Sequence, residues 1–80
     1  MSVFPSLSGA QCRAARALLD LTLIDLAALS GVGRATIERL ERDERIPRTS
    51  TLQRLAEFFT SRGIRFVADI GVIGQPPPTA

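Results

Sequence analysis

Residues Leu23 to Arg42, LIDLAALSGVGRATIERLER, compress two amphipathic segments and the corner between them into twenty residues. This is the tightest constraint on the fold, because two helices joined by so short a turn must cross steeply and touch. Leu26, Ala27 and Ser30 recur at three- and four-residue intervals, the helical period. Gly31 follows them where a left-handed residue releases the chain with little strain. Thr22 is the expected N-cap of this first segment. Asp25, three residues on, is a capping-box partner whose charge suits the positive end of the helix dipole.

After Gly31-Val32-Gly33 the period resumes with Ile37 and Leu40, flanked by Thr36 and Glu41. At about 100° per residue, Arg34, Ala35, Arg39 and Arg42 fall on the opposite arc, so the second helix offers arginine outward. Ala27 is small where the two helices must approach, and Val32 can plug the corner between them.

The spacing resembles the helix-turn-helix core of the phage-repressor-like (XRE) family of small DNA-binding regulators, whose pattern runs as LA, a short gap, GVS, then an I-x-x-x-E ending. Leu26-Ala27, Gly31-Val32-Gly33, Ile37 and Glu41 carry it here, and the likeness extends from about Ser8 to Phe59. The resemblance implies a mainly α fold, a small four- to five-helix bundle of the phage-repressor type, followed here by a C-terminal β-strand or hairpin. It also implies that Arg16 pairs with Glu41 and ties the first helix to the end of the recognition helix, a structural pair and not a DNA contact. Two positions depart from the family. Leu23 stands where Gln usually meets the phosphate backbone, and Gly33 stands where Ser usually caps the recognition helix. Gly is an acceptable cap but supplies no side-chain oxygen.

Eighty residues with 45% hydrophobic content make one small domain with a modest core, which dimerisation would help to stabilise. A formal charge of +2 does not by itself indicate a nucleic-acid partner. All ten basic residues are Arg, which genomic base composition explains as well as function does. Either way, Arg can fork two hydrogen bonds onto guanine or phosphate, where Lys acts as a point charge.

Cys12 is the only cysteine and there is no histidine, so no disulfide framework or zinc spacing is available and no metal or cofactor is expected. Without His or Tyr, and without a glycine-rich phosphate loop, few routes to acid-base or nucleophilic chemistry remain. No catalytic residue and no enzyme activity are expected, and Cys12 reads as a small buried side chain. Residues 1–7 lack the basic and apolar regions of a signal peptide, and no apolar run approaches the ~18 residues of a membrane span. The expected location is cytoplasmic, on the nucleoid through DNA, with no membrane partner.

The chain divides into an N-terminal arm (1–7), a helix-turn-helix domain (8–62), a β segment (63–74) and a proline-rich tail expected to be disordered, QPPPTA (75–80). Ser8-Gly9-Ala10-Gln11 predicts a capping box opening a first helix to about Leu19, with Ala14, Ala15, Leu18 and Leu19 available to the core. The charged stretch Arg42 to Arg48, with Pro47, predicts a loop. Ser50 with Gln53 predicts a second capping box, and Gly63 the end of that helix. Beyond it Ile64, Phe66, Ala68 and Ile70 alternate with Arg65, Val67 and Asp69, which is strand spacing. A lone strand or hairpin leaves its edge unsatisfied. Pairing with the same segment of a second subunit is therefore expected, through Ile64, Phe66, Val67, Ala68, Ile70 and Val72. The other possibility is that the segment folds back on its own helices.

Early residues of a recognition helix reach base edges and the following loop reaches phosphates. Arg34 and Arg39 are the expected base readers. Ala35 is placed to touch a thymine methyl and Thr36 to give a hydroxyl to a base or phosphate. Arg42, Arg45 and Arg48 are the expected phosphate clamps, joined by backbone amides at the helix starts near Leu23 and Ser50. The same arginine face can instead close exposed ion pairs at four-residue spacing, Arg34 and Arg42 with Glu38, and Arg39 with Asp43. The chain thus reads as a sequence-specific regulator of transcription, a dimeric repressor that occludes a promoter at a partly palindromic operator. The rival reading is an antitoxin or protein-interaction module of a two-gene system, whose C-terminal segment binds a toxin or a second regulator.

Overall fold

The computed structural model describes residues 7–67 and 71–74, in the order α1 (Gly9–Leu18), α2 (Leu23–Ser30), α3 (Arg34–Glu41), α4 (Thr49–Ser61), β1 (Ile64–Val67) and β2 (Gly71–Gly74). Of the arm expected at 1–7 only Leu7 is described, and it is buried. The tail at 75–80, Ala68 and Ile70 lie outside the described residues.

Both N-terminal capping boxes form. Ser8 Oγ accepts from the Gln11 amide and Gln11 Oε1 accepts from the Ser8 amide, while Thr22 and Asp25 make the same reciprocal pair at the start of α2. Each helix is followed by a left-handed residue: Asp20 (φ 58°), Gly31 (φ 79°), Asp43 (φ 59°) and Gly63 (φ 90°). Glycine was the stop signal readable at two of these positions. Asp, whose short polar side chain also tolerates that conformation, supplies the other two.

The start of α4 corrects the expected second capping box. The N-cap is Arg48 and not Ser50, no side chain caps the helix, and Gln53 donates to Glu57 instead of turning back. Arg48, set extended after Pro47, uses its own carbonyl to accept from the Thr51 and Leu52 amides, so the helix is under way before Ser50.

The core lies where the four helices meet the hairpin. Phe59 is fully buried, with Phe58 and Phe66 edge-on to it at centroid distances of 5.5 and 6.0 Å. Burying one such ring stabilises by about 1.5–3 kcal/mol. Leu26 of α2 and Ile37 of α3 are fully buried together with Leu55 of α4, so one apolar stripe from each helix closes the same interior. Leu18, expected in that interior, is 54% exposed and lies against Gly74 at the hairpin.

Gly9 carries a contact with no signature in its own neighbourhood. A Cβ there would sit 2.2 Å from the Leu40 carbonyl oxygen and 2.9 Å from Asp43 Oδ1, so α1 crosses the end of α3 with backbone against backbone.

β1 and β2 form an antiparallel hairpin in the register Ile64 to Gly74, Arg65 to Ile73, Phe66 to Val72 and Val67 to Gly71. The hairpin folds back on its own helices. Ile64, Phe66 and Val72 occupy the face toward the helices, with Ile64 only 2% exposed and Phe66 and Val72 partly buried against the core. The outward face presents Val67 and Ile73 beside Arg65.

Candidate nucleic-acid interface

The corner of the motif is built locally. Gly31 takes the left-handed turn, Ser30 Oγ accepts from the Val32 amide at 3.2 Å, and Val32 turns inward with 6% exposure. Gly33 then starts α3 as an N-cap without a side-chain hydrogen bond. Ile37, Leu40 and Glu41 face the interior, so Arg34, Ala35 and Arg39 are exposed and Thr36 is half-buried at the edge.

Glu41 anchors this helix from behind. Arg16 donates from Nε to Glu41 Oε2 at 3.0 Å and from Nη2 to Oε1 at 2.8 Å, while its Nη1 reaches the Leu21 carbonyl at 3.1 Å. The hydrogen bond to Glu41 raises the Arg16 pKa above its usual value, so the cation is permanent. Arg13 donates to the Glu41 backbone carbonyl, and the Cys12 thiol donates to Glu41 Oε2 at 3.2 Å. Burial first, then the neighbouring carboxylate, push the Cys12 thiol pKa far up, which keeps it protonated. Arg13 and Cys12 were not legible as partners of Glu41, since both lie about thirty residues away in sequence and neither is marked by a motif.

The ten arginines sort into two groups. Arg13 and Arg16 hold Glu41. Arg42 pairs with Glu38 at 2.9 Å and reaches Glu44 at 4.0 Å, and Arg62 lies 4.8 Å over the Phe58 ring. Arg34, Arg39, Arg45, Arg48, Arg54 and Arg65 have no hydrogen-bond or ion-pair partner among the described residues. Of the alternative ion pairs open to this face, only Glu38 with Arg42 forms. Asp43, left-handed at φ 59°, places its carboxylate near Gly9 and makes no ion pair with Arg39.

Between α3 and the loop after it lies a concavity of about 370 Å³ lined by Thr36, Arg39, Arg45, Pro47, Arg48 and Thr51. The structure therefore brings Arg39 of the recognition helix together with Arg45 and Arg48 of the loop. Ile46, 82% exposed, also faces this concavity. Arg42, also expected as a clamp, is held by acids on its own helix and turn. At the other proposed backbone contacts, Leu23 packs its side chain partly against the core, and Asp25 places a carboxylate at the same helix start. Ser50 is exposed in the first turn of α4. Arg54, which the sequence did not single out, lies exposed on α4, where helical spacing alone does not distinguish it from an ordinary solvated arginine.

Among the described residues no cluster of His, Cys, Asp or Glu is arranged to hold a metal ion, and no helix is long and apolar enough to cross a membrane. Two short helices joined at a left-handed Gly31, with a buried rear anchor at Glu41 and outward arginines, fit the class of helix-turn-helix DNA-binding regulators. Residues 13–62 match the helix-turn-helix family, more than half of the chain. The chain belongs to that family, in its XRE type, a family of DNA-binding transcription regulators and not of enzymes. Comparison with individual curated proteins found no match.

Proposed function

We propose that this protein is a sequence-specific regulator that inserts α3 into the major groove of duplex DNA, with Arg34 and Arg39 reading base edges, and that it represses by promoter occlusion. The observation that carries the reading is the sorting of the arginines. Those without a partner gather around α3 and the start of α4, except Arg65 on the hairpin, whereas those behind α3 are consumed in holding it. Each bidentate contact to guanine contributes about 1–3 kcal/mol of discrimination. Ala35 and Thr36 lie between the two readers, suited to a thymine methyl and a polar group respectively. Arg45 and Arg48 clamp phosphates from the loop, joined by backbone amides near Leu23 and Ser50. Arg42 contributes after exchanging Glu38 for phosphate, since an exposed pair is worth only about 0–1 kcal/mol.

The protein acts as a twofold dimer through the outer face of the hairpin, where Val67 and Ile73 stand exposed. Two recognition helices are then about one DNA turn apart, ~34 Å, and the operator is a partial palindrome with half-sites ~10 base pairs apart. The helix-turn-helix domain spans 8–62 and the dimerisation element 63–74. Cutting the chain after Gly63 would strip Ile64 and Phe66 from the core, so Val67→Asp and Ile73→Asp are the cleaner test of assembly. Sedimentation of both as dimers would refute this interface.

DNA reading is tested by mapping bound sites genome-wide, then titrating Arg34→Ala and Arg39→Ala against the recovered duplex and single-base variants of it. Normal binding by both variants would refute the assignment of readers. A reporter that falls when the gene is deleted would refute repression.

A further inference from the structure

We propose that Arg54 is a second clamp on the DNA backbone, holding a phosphodiester group in a concavity that adjoins the one lined by Arg39, Arg45 and Arg48. The proposal rests on the DNA-binding reading above and adds to it a site on a different helix. This second concavity, about 220 Å³, lies at the corner of the motif and is lined by Gly31, Gly33, Thr36, Ser50, Thr51 and Arg54.

Four observations define its chemistry. Arg54 Nη1 lies 3.6 Å from where a Cβ on Gly31 would sit, so the guanidinium reaches from α4 to the turn between α2 and α3. The acid nearest to it along α4, Glu57, is bonded to Gln53 at 3.3 Å, and Arg54 has no partner of its own among the described residues. The hydroxyls of Thr36, Ser50 and Thr51 make no hydrogen bond among the described residues either. Thr36 and Thr51 line both concavities, so the second site continues directly from the first.

An unpaired cation sharing one lining with three hydroxyls that have no partner among the described residues, and with no carboxylate beside them, matches a group that offers several acceptor oxygens and one negative charge. A backbone phosphodiester is that group. The guanidinium fork can take two of its oxygens at once, as an ammonium cannot. A strand passing along α3 would then be gripped on both sides of Thr36, which sets the angle at which the recognition helix enters the groove.

The test uses the full chain and a duplex that the wild-type protein selects from a random-sequence pool. Arg54→Ala is expected to make the dependence of log K on log salt shallower by about 0.9, the share of one phosphate contact. Arg54→Lys is expected to keep most of that slope while binding more weakly than wild type. Replacing single phosphates by neutral methylphosphonates should expose one position that weakens the wild type and not Arg54→Ala, and that remains sensitive in Arg48→Ala. Because Arg54 makes no bond within the described residues, its variants should unfold in urea at the wild-type midpoint. An unchanged slope and phosphate map in Arg54→Ala overturns the proposal. So does a changed base preference in a second selection, which would make Arg54 a reader. Failure of the wild type to select any duplex refutes the DNA-binding reading itself, and is visible before any variant is made.

Discussion

Arg16 and Glu41 meet fork to fork, two guanidinium nitrogens on two carboxylate oxygens at 3.0 and 2.8 Å, with Glu41 5% exposed. The pair joins α1 to the last residue of α3, so the orientation of the recognition helix depends on it. Arg16→Ala strands a buried carboxylate and is expected to cost about 3 kcal/mol, read as a lower urea midpoint. Replacing both by Leu should cost less than the sum of the two single changes, because the second change removes a charge that has already lost its partner. Strict additivity would show that the two side chains do not support each other.

The glycines are expected to separate by backbone geometry. Gly31→Ala forces a side chain into a left-handed residue at φ 79° and should destabilise by about 1–2 kcal/mol. Gly9→Ala drives α1 off the Leu40 carbonyl, an overpacking expected to cost about 1–3 kcal/mol. Gly33→Ser goes the other way. Position 33 is extended at φ −61° and ψ 142°, with only Thr36 Oγ1 near the new Cβ at 3.9 Å, so serine fits and supplies the absent cap. A gain of about a few tenths of a kcal/mol is expected. Denaturation of the three variants side by side checks the order, and a Gly33→Ser variant less stable than wild type would contradict it.

Glu38 restrains Arg42 and places negative charge on the proposed DNA face. Glu38→Gln removes the shorter of the two ion pairs on Arg42, and up to about fivefold tighter binding is expected from the release of one such pair, with a steeper salt dependence. Unchanged binding across a salt series would mean that Arg42 takes no part in the complex.

The capping box of α2 makes stability sensitive to acid. Hydrogen bonds from the Thr22 amide and hydroxyl hold the Asp25 carboxyl below its ordinary value of 3.8. A depressed folded pKa means that its contribution is complete above the unfolded value and fades as pH falls through the folded one. Stability from this group is therefore flat through neutral pH and declines below about pH 4. Asp25→Asn should lower the neutral midpoint and flatten the acid limb of a stability profile. A wild-type acid limb in that variant would remove Asp25 as its source.

Cys12 is fully buried with its thiol directed to Glu41. Alkylation in the native state should proceed only as fast as the protein opens, and accelerate to the rate of a free thiol in urea. Fast native labelling would show that α1 detaches locally from α3.

Much of what depends on near neighbours was legible from the chain. The period places Ile37 and Leu40 inward and Arg34 and Arg39 outward, and Ser8, Thr22, Gly31 and Gly63 mark helix ends through short-range hydrogen bonds and backbone sterics. The misreadings at Ser50 and Leu18 come from the same level: a capping pattern competes with the chain's entry after Pro47, and an apolar residue at a helix end has several faces to choose from.

What the sequence by itself determined is the list of elements and the identity of the motif, because caps, turns and amphipathic stripes are settled within a few residues. Only the tertiary structure decided how Arg13 and Cys12 converge on Glu41, why Gly9 must lack a side chain, which face of the hairpin is left open, and which arginines remain free. Those outcomes rest on contacts between residues distant in sequence, where one arginine looks like another until the fold shows what stands opposite it.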